Sequence, residues 1–211
     1  MKLKFVLVFA NGQPAESKIV KPFLADSPSI VAADGGANHL TKLGLVPDYI
    51  VGDLDSVKPE ILRQFKSTEI IRREDQDHTD LEKTLDFCLE SNADKIVVFG
   101  ATGGRLDHEI ANFGVLQNYS RRANLFFLDN QFTIRVVRGA YSFKTFPGQL
   151  FSLIALQSAR GVTLKGVQFP LTNADLSFGG RGVSNLAKES RVSISIQSGE
   201  VFLFLKHANA D

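Results

Sequence analysis

The sequence predicts an α/β protein in two parts: an N-terminal doubly wound, mostly parallel sheet over residues 1–130, and a smaller C-terminal all-β sandwich over residues 131–211. Three observations predict this. Up to about residue 130, short apolar runs alternate with amphipathic stretches, the pattern of strands buried on both faces and of the helices that cover them. Beyond it, short runs follow one another closely, with glycine turns between them and no helical period. The two rhythms meet without a Pro- or Ser-rich linker, and no internal repeat or low-complexity tract interrupts either.

In chain order, the apolar runs Phe5–Phe9, Ile30–Ala33, Tyr49–Val51, Glu69–Ile71, Ile96–Phe99 and Leu125–Leu128 are the strands of the first half. Most are too continuous to have one wet face. A helix follows Thr79, because Leu81, Leu85, Cys88 and Leu89 share a face, and Thr79 with Glu82 three residues on forms a capping box. Another runs from Asp107 to Tyr119 on Ile110, Phe113, Val115 and Leu116. In the second half the strands are Phe132–Val137, Tyr141–Phe146, Leu150–Leu156, Val162–Leu164, Val192–Ile196 and Val201–Leu205.

Composition removes several function classes. A 211-residue chain with 44% hydrophobic and 22% charged residues is neither disordered nor fibrous. Basic and acidic residues nearly cancel at a formal charge of +1, so no overall field favours a nucleic-acid backbone. The lone Cys88 and the four histidines have no zinc spacing, and the absence of a disulfide pair fits a reducing compartment. Lys2 and Lys4 before Phe5–Ala10 imitate a signal peptide, but the run is short and ends in Asn11–Pro14, which reads better as a first strand. No run approaches the roughly 20 apolar residues of a membrane span. The expectation is a cytoplasmic protein with no nucleic-acid or membrane partner.

The chemistry gathers where the strands end. In open parallel sheets ligands collect at the carboxyl edge. Here those edges read Asn11-Gly12, Asp34–Asn38, Gly52–Ser56, Asp75–Asp80 and Gly100–His108. Because strand side chains alternate, the Asp-x-Asp at the third edge places Asp53 and Asp55 on one side, where two carboxylates repel unless a cation sits between them. Mg²⁺, which takes a few carboxylates plus water and phosphate, suits that supply, with Asp34 and Asp80 expected nearby. Each aspartate also has an ordinary use: turn formation for Asp53 and Asp55, and the helix dipole for Asp80. Gly103 and Gly104 before a helix, with Arg105, would let backbone N–H groups and a forked donor approach an anion. No P-loop, Gly-x-Gly-x-x-Gly or Gly-x-Ser-x-Gly pattern occurs. Histidines 39, 78 and 108 lie beside these loops, and Cys88 belongs to the core. In the second half, Phe178–Asn185 is a glycine-rich loop, either a hairpin connection or a ligand site.

Four motifs in order, Asp34–Asn38, Gly52–Ser56, Asp75–Asp80 and Gly100–His108, together with the Ser184-Asn185 loop in a β-rich second half, resemble the thiamine pyrophosphokinases over nearly the whole chain. That resemblance implies transfer of the pyrophosphoryl group of ATP to the hydroxyethyl oxygen of thiamine, giving thiamine diphosphate and AMP. It implies Mg²⁺ held by Asp53, Asp55 and Asp80 with Asp34 nearby, and catalysis by these three with Arg105. Asp34, Asn38, Gln76, Thr79, Gly103, Gly104, Arg105 and Asp107 are then nucleotide or phosphate contacts, and Ser184 and Asn185 the thiamine pair. It also implies a homodimer in which the α/β part of one subunit meets the sandwich of the other. Some relatives place a Trp near thiamine; this chain has none, and Phe178 is the nearest aromatic. A pyrophosphokinase for another alcohol, such as a pterin, would keep the first-half motifs and change the Ser184 loop. A metal-dependent phosphohydrolase would have no use for the β half, and a nucleotide sensor no use for the carboxylates.

Overall fold

The computed structural model describes residues 2–208 and divides into two compact units, one ending at Asn130 and one beginning at Gln131. In the first unit the strands are β1 (Phe5–Phe9), β2 (Ser29–Ala33), β3 (Tyr49–Gly52), β4 (Glu69–Arg72), β5 (Lys95–Phe99) and β6 (Asn124–Leu128). They form a parallel sheet in the order β6-β5-β1-β2-β3-β4. Alternate side chains bury on opposite faces. Leu7, Phe9, Ala32, Ile50, Val97 and Phe99 form one core with Val20, Leu40 and Ile61. Those three come from α1 (Ser17–Leu24), α2 (Ala37–Leu43) and α3 (Pro59–Gln64). The other face is covered by α4 (Asp80–Glu90) against β2 and β3, and by α5 (Leu106–Tyr119) against β6.

This winding brings the site together. After the edge strand β4 the chain must return to the centre to form β5, and α4 crosses back over β3 and β2 to do so. Its N-terminus therefore lies at the carboxyl ends of those two strands. The strand order also reverses between β1 and β5, which opens a crevice at their carboxyl ends.

In the second unit, β7 (Phe132–Val137), β14 (Val201–Lys206), β9 (Leu150–Ile154) and the short β12 (Asn185–Leu186) pair antiparallel in that order. A second antiparallel layer runs β11-β10-β13-β8 (Leu171–Leu176, Ala159–Lys165, Arg191–Ser195, Ala140–Lys144). Their inward residues share one core, with Val137, Phe151, Leu153 and Leu203 from the first layer and Phe143, Leu164, Val192 and Ile194 from the second. This is a β-sandwich.

Three helices escaped the sequence pattern. α2 and α3 are seven and six residues long, too short to show a period, and α1 carries Pro22 inside it. Two strands escaped as well. β11 is a mostly exposed edge strand with the polar sequence Leu171–Leu176, and β12 has two residues. The capping box of α4 is present in full: the Glu82 N–H donates to Thr79 Oγ1 at 3.3 Å, and the Thr79 N–H donates to Glu82 Oε2 at 2.9 Å. Thr79→Ala is expected to cost about 1 kcal/mol in urea unfolding, as is Glu82→Ala. The double variant should lose less than the sum, because each residue caps through the other.

Candidate active site

The site grows from three strand ends. After β2, Asp34 begins a 3₁₀ turn (Asp34–Gly36) with φ of 41°, a left-handed conformation that an aspartate tolerates better than most side chains. The turn lies so close to β1 that a Cβ on Gly36 would stand 1.9 Å from the Phe9 carbonyl oxygen, so only glycine fits there. After β3, a Cβ on Gly52 would come 2.9 Å from Asp34 Cβ. The missing side chain of Gly52 is the space that Asp34 fills.

Asp34, Asp53 and Asp80 each present a carboxylate oxygen within 4.8 Å of the others. Asp34 is completely buried, and neither of its oxygens has a hydrogen-bond partner among the described residues. A buried carboxylate without donors is costly unless something else neutralises it. Burial first, then the charge of Asp80 and the neighbouring Asp53 and Asp55, push the Asp34 carboxyl up to about 7. Burial also raises Asp80, with Lys83 pulling it back. Asp53 moves the other way, lowered mainly by the backbone N–H of Asp55, which donates to its Oδ1 at 3.2 Å. Carboxylates with divergent acidities, one of them without donors, form a set of hard oxygen ligands suited to a divalent cation.

Asp55 is not in this triad. β3 has already ended at Gly52, and Leu54 stands at φ 71°, so Asp53-Leu54-Asp55 is a turn in which strand alternation does not apply. Asp55 is exposed, and its carboxylate accepts the Ser56 hydroxyl at 2.8 Å. It still lies within electrostatic reach of Asp34 and Asp80. The sequence reading missed Lys83, whose side chain is 6% exposed and whose Nζ lies 3.4 Å from Asp80 Oδ1 and 3.9 Å from Asp53 Oδ2. In the sequence it is one charged residue on an amphipathic helix; its burial on α4 is visible only in the fold.

Beside the triad a pocket of about 500 Å³ opens at the β1–β5 crevice, lined by Gly12, Gln76, Thr79, Gly104, Arg105 and Asn112 among others. Arg105 is exposed, and its fork grips Asp107, with Nη2 to Oδ2 at 2.6 Å and Nε to Oδ1 at 3.2 Å. That partner lowers the Asp107 carboxyl to about 2. The Gly103 N–H donates to Glu109 Oε2 at 3.2 Å, so a carboxylate already sits on this anion-ready turn. The Thr79 hydroxyl is committed to Glu82. His78 pairs with Asp75, which raises the imidazole and lowers the carboxyl.

Two of the expected contacts brace the chain. Asn38 donates to the Ser56 carbonyl at 2.9 Å and accepts from the Lys58 N–H at 3.0 Å, tying α2 to the loop after β3. In the second unit, the buried Asn185 donates to the Phe169 carbonyl and accepts from the Phe169 and Leu186 N–H groups. Ser184 is exposed at φ 58°, and Phe178 is 74% exposed on the same glycine-rich loop.

The acidity of Asp34 gives the cation-free protein a pH dependence with a definite sign. The group is held at about 7 in the fold against an ordinary 3.8. Its contribution to stability is therefore full below pH 3.8, shrinks as pH rises, and is gone above pH 7. Asp34→Asn should flatten this profile and stabilise the cation-free protein at pH 8 by roughly 2–4 kcal/mol in chemical unfolding, asparagine being equally at home at this φ. A steeper profile in the variant would contradict the assignment.

The family model for the thiamin pyrophosphokinase catalytic domain matches residues 20–127, and that for the thiamin pyrophosphokinase vitamin B1 binding domain matches residues 132–201. Among curated proteins, thiamine pyrophosphokinase 1 of Oryza sativa subsp. japonica is 31% identical over 84% of this chain and 79% of its own. The thiamine pyrophosphokinase of Bacillus subtilis is 28% identical over 80% of this chain and 83% of its own. A crystal structure of the Bacillus subtilis protein superposes with a TM-score of 0.84 at 25% identity, covering 96% of this chain and 99% of that one. One from Geobacillus thermodenitrificans gives 0.84 at 26%, covering 98% and 100%.

Proposed function

The chain belongs to the thiamin pyrophosphokinase family, and from that premise we propose how its residues divide the work. It is an ATP-dependent thiamine diphosphokinase: the hydroxyethyl oxygen of thiamine bonds to the β-phosphorus of ATP and its proton is released, while the bond from the β-phosphorus to the oxygen bridging it to the α-phosphorus breaks, and AMP leaves with that oxygen. The observation that carries the proposed site is the unpartnered, buried Asp34 within reach of Asp53 and Asp80.

The donor-free oxygens of Asp34 and the hard carboxylate set fit Mg²⁺, and we propose that Asp34, Asp53 and Asp80 hold it, with Asp55 adding charge from the rim. Bound there, the ion would neutralise charge on the transferred phosphates. Arg105 leaves Asp107 to fork onto phosphate oxygens, and Asp107 acts by releasing it. Gly104 and Gln76 flank the polyphosphate from the pocket wall, and Gly103 joins once Glu109 yields. Asn38 and Thr79 serve by positioning the loop after β3 and the start of α4. In the second unit Ser184 and Phe178 meet thiamine, on a loop that Asn185 anchors. We further propose a homodimer in which the Ser184 loop of one copy completes the triad site of the other, and a cytoplasmic setting, where ATP is supplied and Cys88 stays reduced. No helix among the described residues is long and apolar enough to cross a membrane.

Supplied with ATP, Mg²⁺ and thiamine, the protein should yield AMP and thiamine diphosphate in equal amounts. ADP would mean an ordinary kinase, and inorganic phosphate a hydrolase. Asp53→Asn should lower kcat by roughly two to three orders of magnitude with the fold intact. Arg105→Lys should lower kcat/KM for ATP about tenfold, since an ammonium lacks the fork. Co-refolding Asp53→Asn chains with Ser184→Ala/Asn185→Ala chains should restore about a quarter of wild-type activity if chains pair at random. Proven subunit exchange without recovery would remove the shared site.

A further inference from the structure

We propose that Lys83 sets the charge of the carboxylate triad, offsetting one of its three negative charges so that a divalent cation brings the group to neutrality. Without that offset the loaded cluster would keep a net negative charge facing the incoming polyphosphate. The inference rests on the cation reading above.

The geometry supports it in three ways. First, Lys83 is buried, which lysine rarely tolerates without a charged partner. It is one of the buried positions of α4, with Thr84 and Leu85, and it lines the pocket beside the triad. Second, its contacts are loose. At 3.4 Å from Asp80 Oδ1 and 3.9 Å from Asp53 Oδ2, the ammonium stands beside two members of the triad and is locked to neither. A cation placed among the carboxylates is not displaced by such a neighbour, only weakened by its charge. Third, Lys83 follows Asp80 by less than one turn, so the capping box that places Asp80 also places the ammonium. Of the other charged groups near the cluster, Asp55 adds to the negative side. Arg105 is turned to Asp107. Arg72 Nη1 donates to the backbone carbonyl of Asp53 at 3.4 Å; Lys83 is the positive side chain whose charge lies within 4 Å of triad carboxylate oxygens among the described residues.

This role gives opposite signs for two measurable quantities. Removing the positive charge strengthens the hold on a bare cation and weakens use of the cation–nucleotide complex. Lys83→Met keeps the apolar stem and loses the charge. Mn²⁺ alone, titrated without nucleotide and followed by the paramagnetic resonance of the free ion, should bind Lys83→Met about tenfold more tightly than wild type. In steady state the same variant should have a raised KM for ATP. Lys83→Arg, which keeps the charge, should return both quantities toward wild type. Lys83→Gln should behave like Lys83→Met, and keeps the test available if methionine impairs folding. A lysine that merely braces α4 would lower the melting temperature in Lys83→Met and leave Mn²⁺ affinity unchanged. A lysine that only touches phosphate would raise KM and leave Mn²⁺ affinity unchanged. Either result overturns the proposal while the cation site stands. Failure of wild type itself to bind Mn²⁺ overturns both readings together.

Discussion

Three carboxylates with oxygens within 4.8 Å of one another, one of them on a fully buried aspartate, form the constraint on which the N-terminal unit turns. Left alone, such a group works against folding: Asp34 has no donors, and each neighbour raises the cost of ionising it. Local choices nearby are intelligible as means of holding it together. Glycine at position 52 leaves room for the Asp34 side chain, glycine at 36 lets the turn press on β1, and the capping box brings Asp80 to the start of α4. The Asp34 and Leu54 backbones both sit in the left-handed region, a strain of order 1 kcal/mol each that surrounding structure must hold. A cation held by the three carboxylates, as proposed, would offset their mutual repulsion.

The charges around the pocket are arranged in self-satisfied pairs, which the proposed site would exchange for polyphosphate oxygens. Arg105 holds Asp107, and Gly103 donates to Glu109. Each pair supplies an anionic group where the enzyme would otherwise present bare donors. A phosphate that replaces these carboxylates meets donors already oriented, which fits a reaction whose catalysis is mainly positioning and electrostatics. The asparagines do complementary work. Asn38 fixes the loop after β3, and Asn185 fixes the base of the glycine-rich loop in the β-sandwich.

Much of this was legible in the sequence, and what was not has physical causes. The central parallel strands are visible because burial on both faces leaves continuous apolar runs, and Phe5–Phe9 needs no adjustment at either end; the edge strand β4 is mostly exposed and shows only through its Ile70-Ile71 pair. The capping box is visible because it is local chemistry. The short helices α2 and α3 are not, since tertiary packing rather than periodicity makes them helical. At the site, the motifs name the loops that the fold brings to one sheet edge, but which carboxylates approach one another is set by the backbone. Asp53 and Asp55 look equivalent until the strand is seen to stop at Gly52, and Asp34 looks peripheral until its burial is known. Lys83 reads as one charged residue on an amphipathic helix, and only the crossing of α4 over β3 and β2 shows that it faces inward. Asn38 and Asn185 carry the family pattern, yet hydrogen bonds to the backbone show what they hold.

The central claim, that a divalent cation resolves the buried negative charge at Asp34, is tested most directly by counting protons. With its carboxyl held at about 7, Asp34 is partly protonated at neutral pH, and a cation bound through it must displace that proton. Calorimetric titration of Mn²⁺ at pH 7, repeated in buffers of different ionisation enthalpy, measures the protons released per ion. The account predicts release of about half a proton from wild type, falling toward zero at pH 9, and almost none from Asp34→Asn at either pH. Binding with no proton release at pH 7, or equal release from Asp34→Asn, would contradict it.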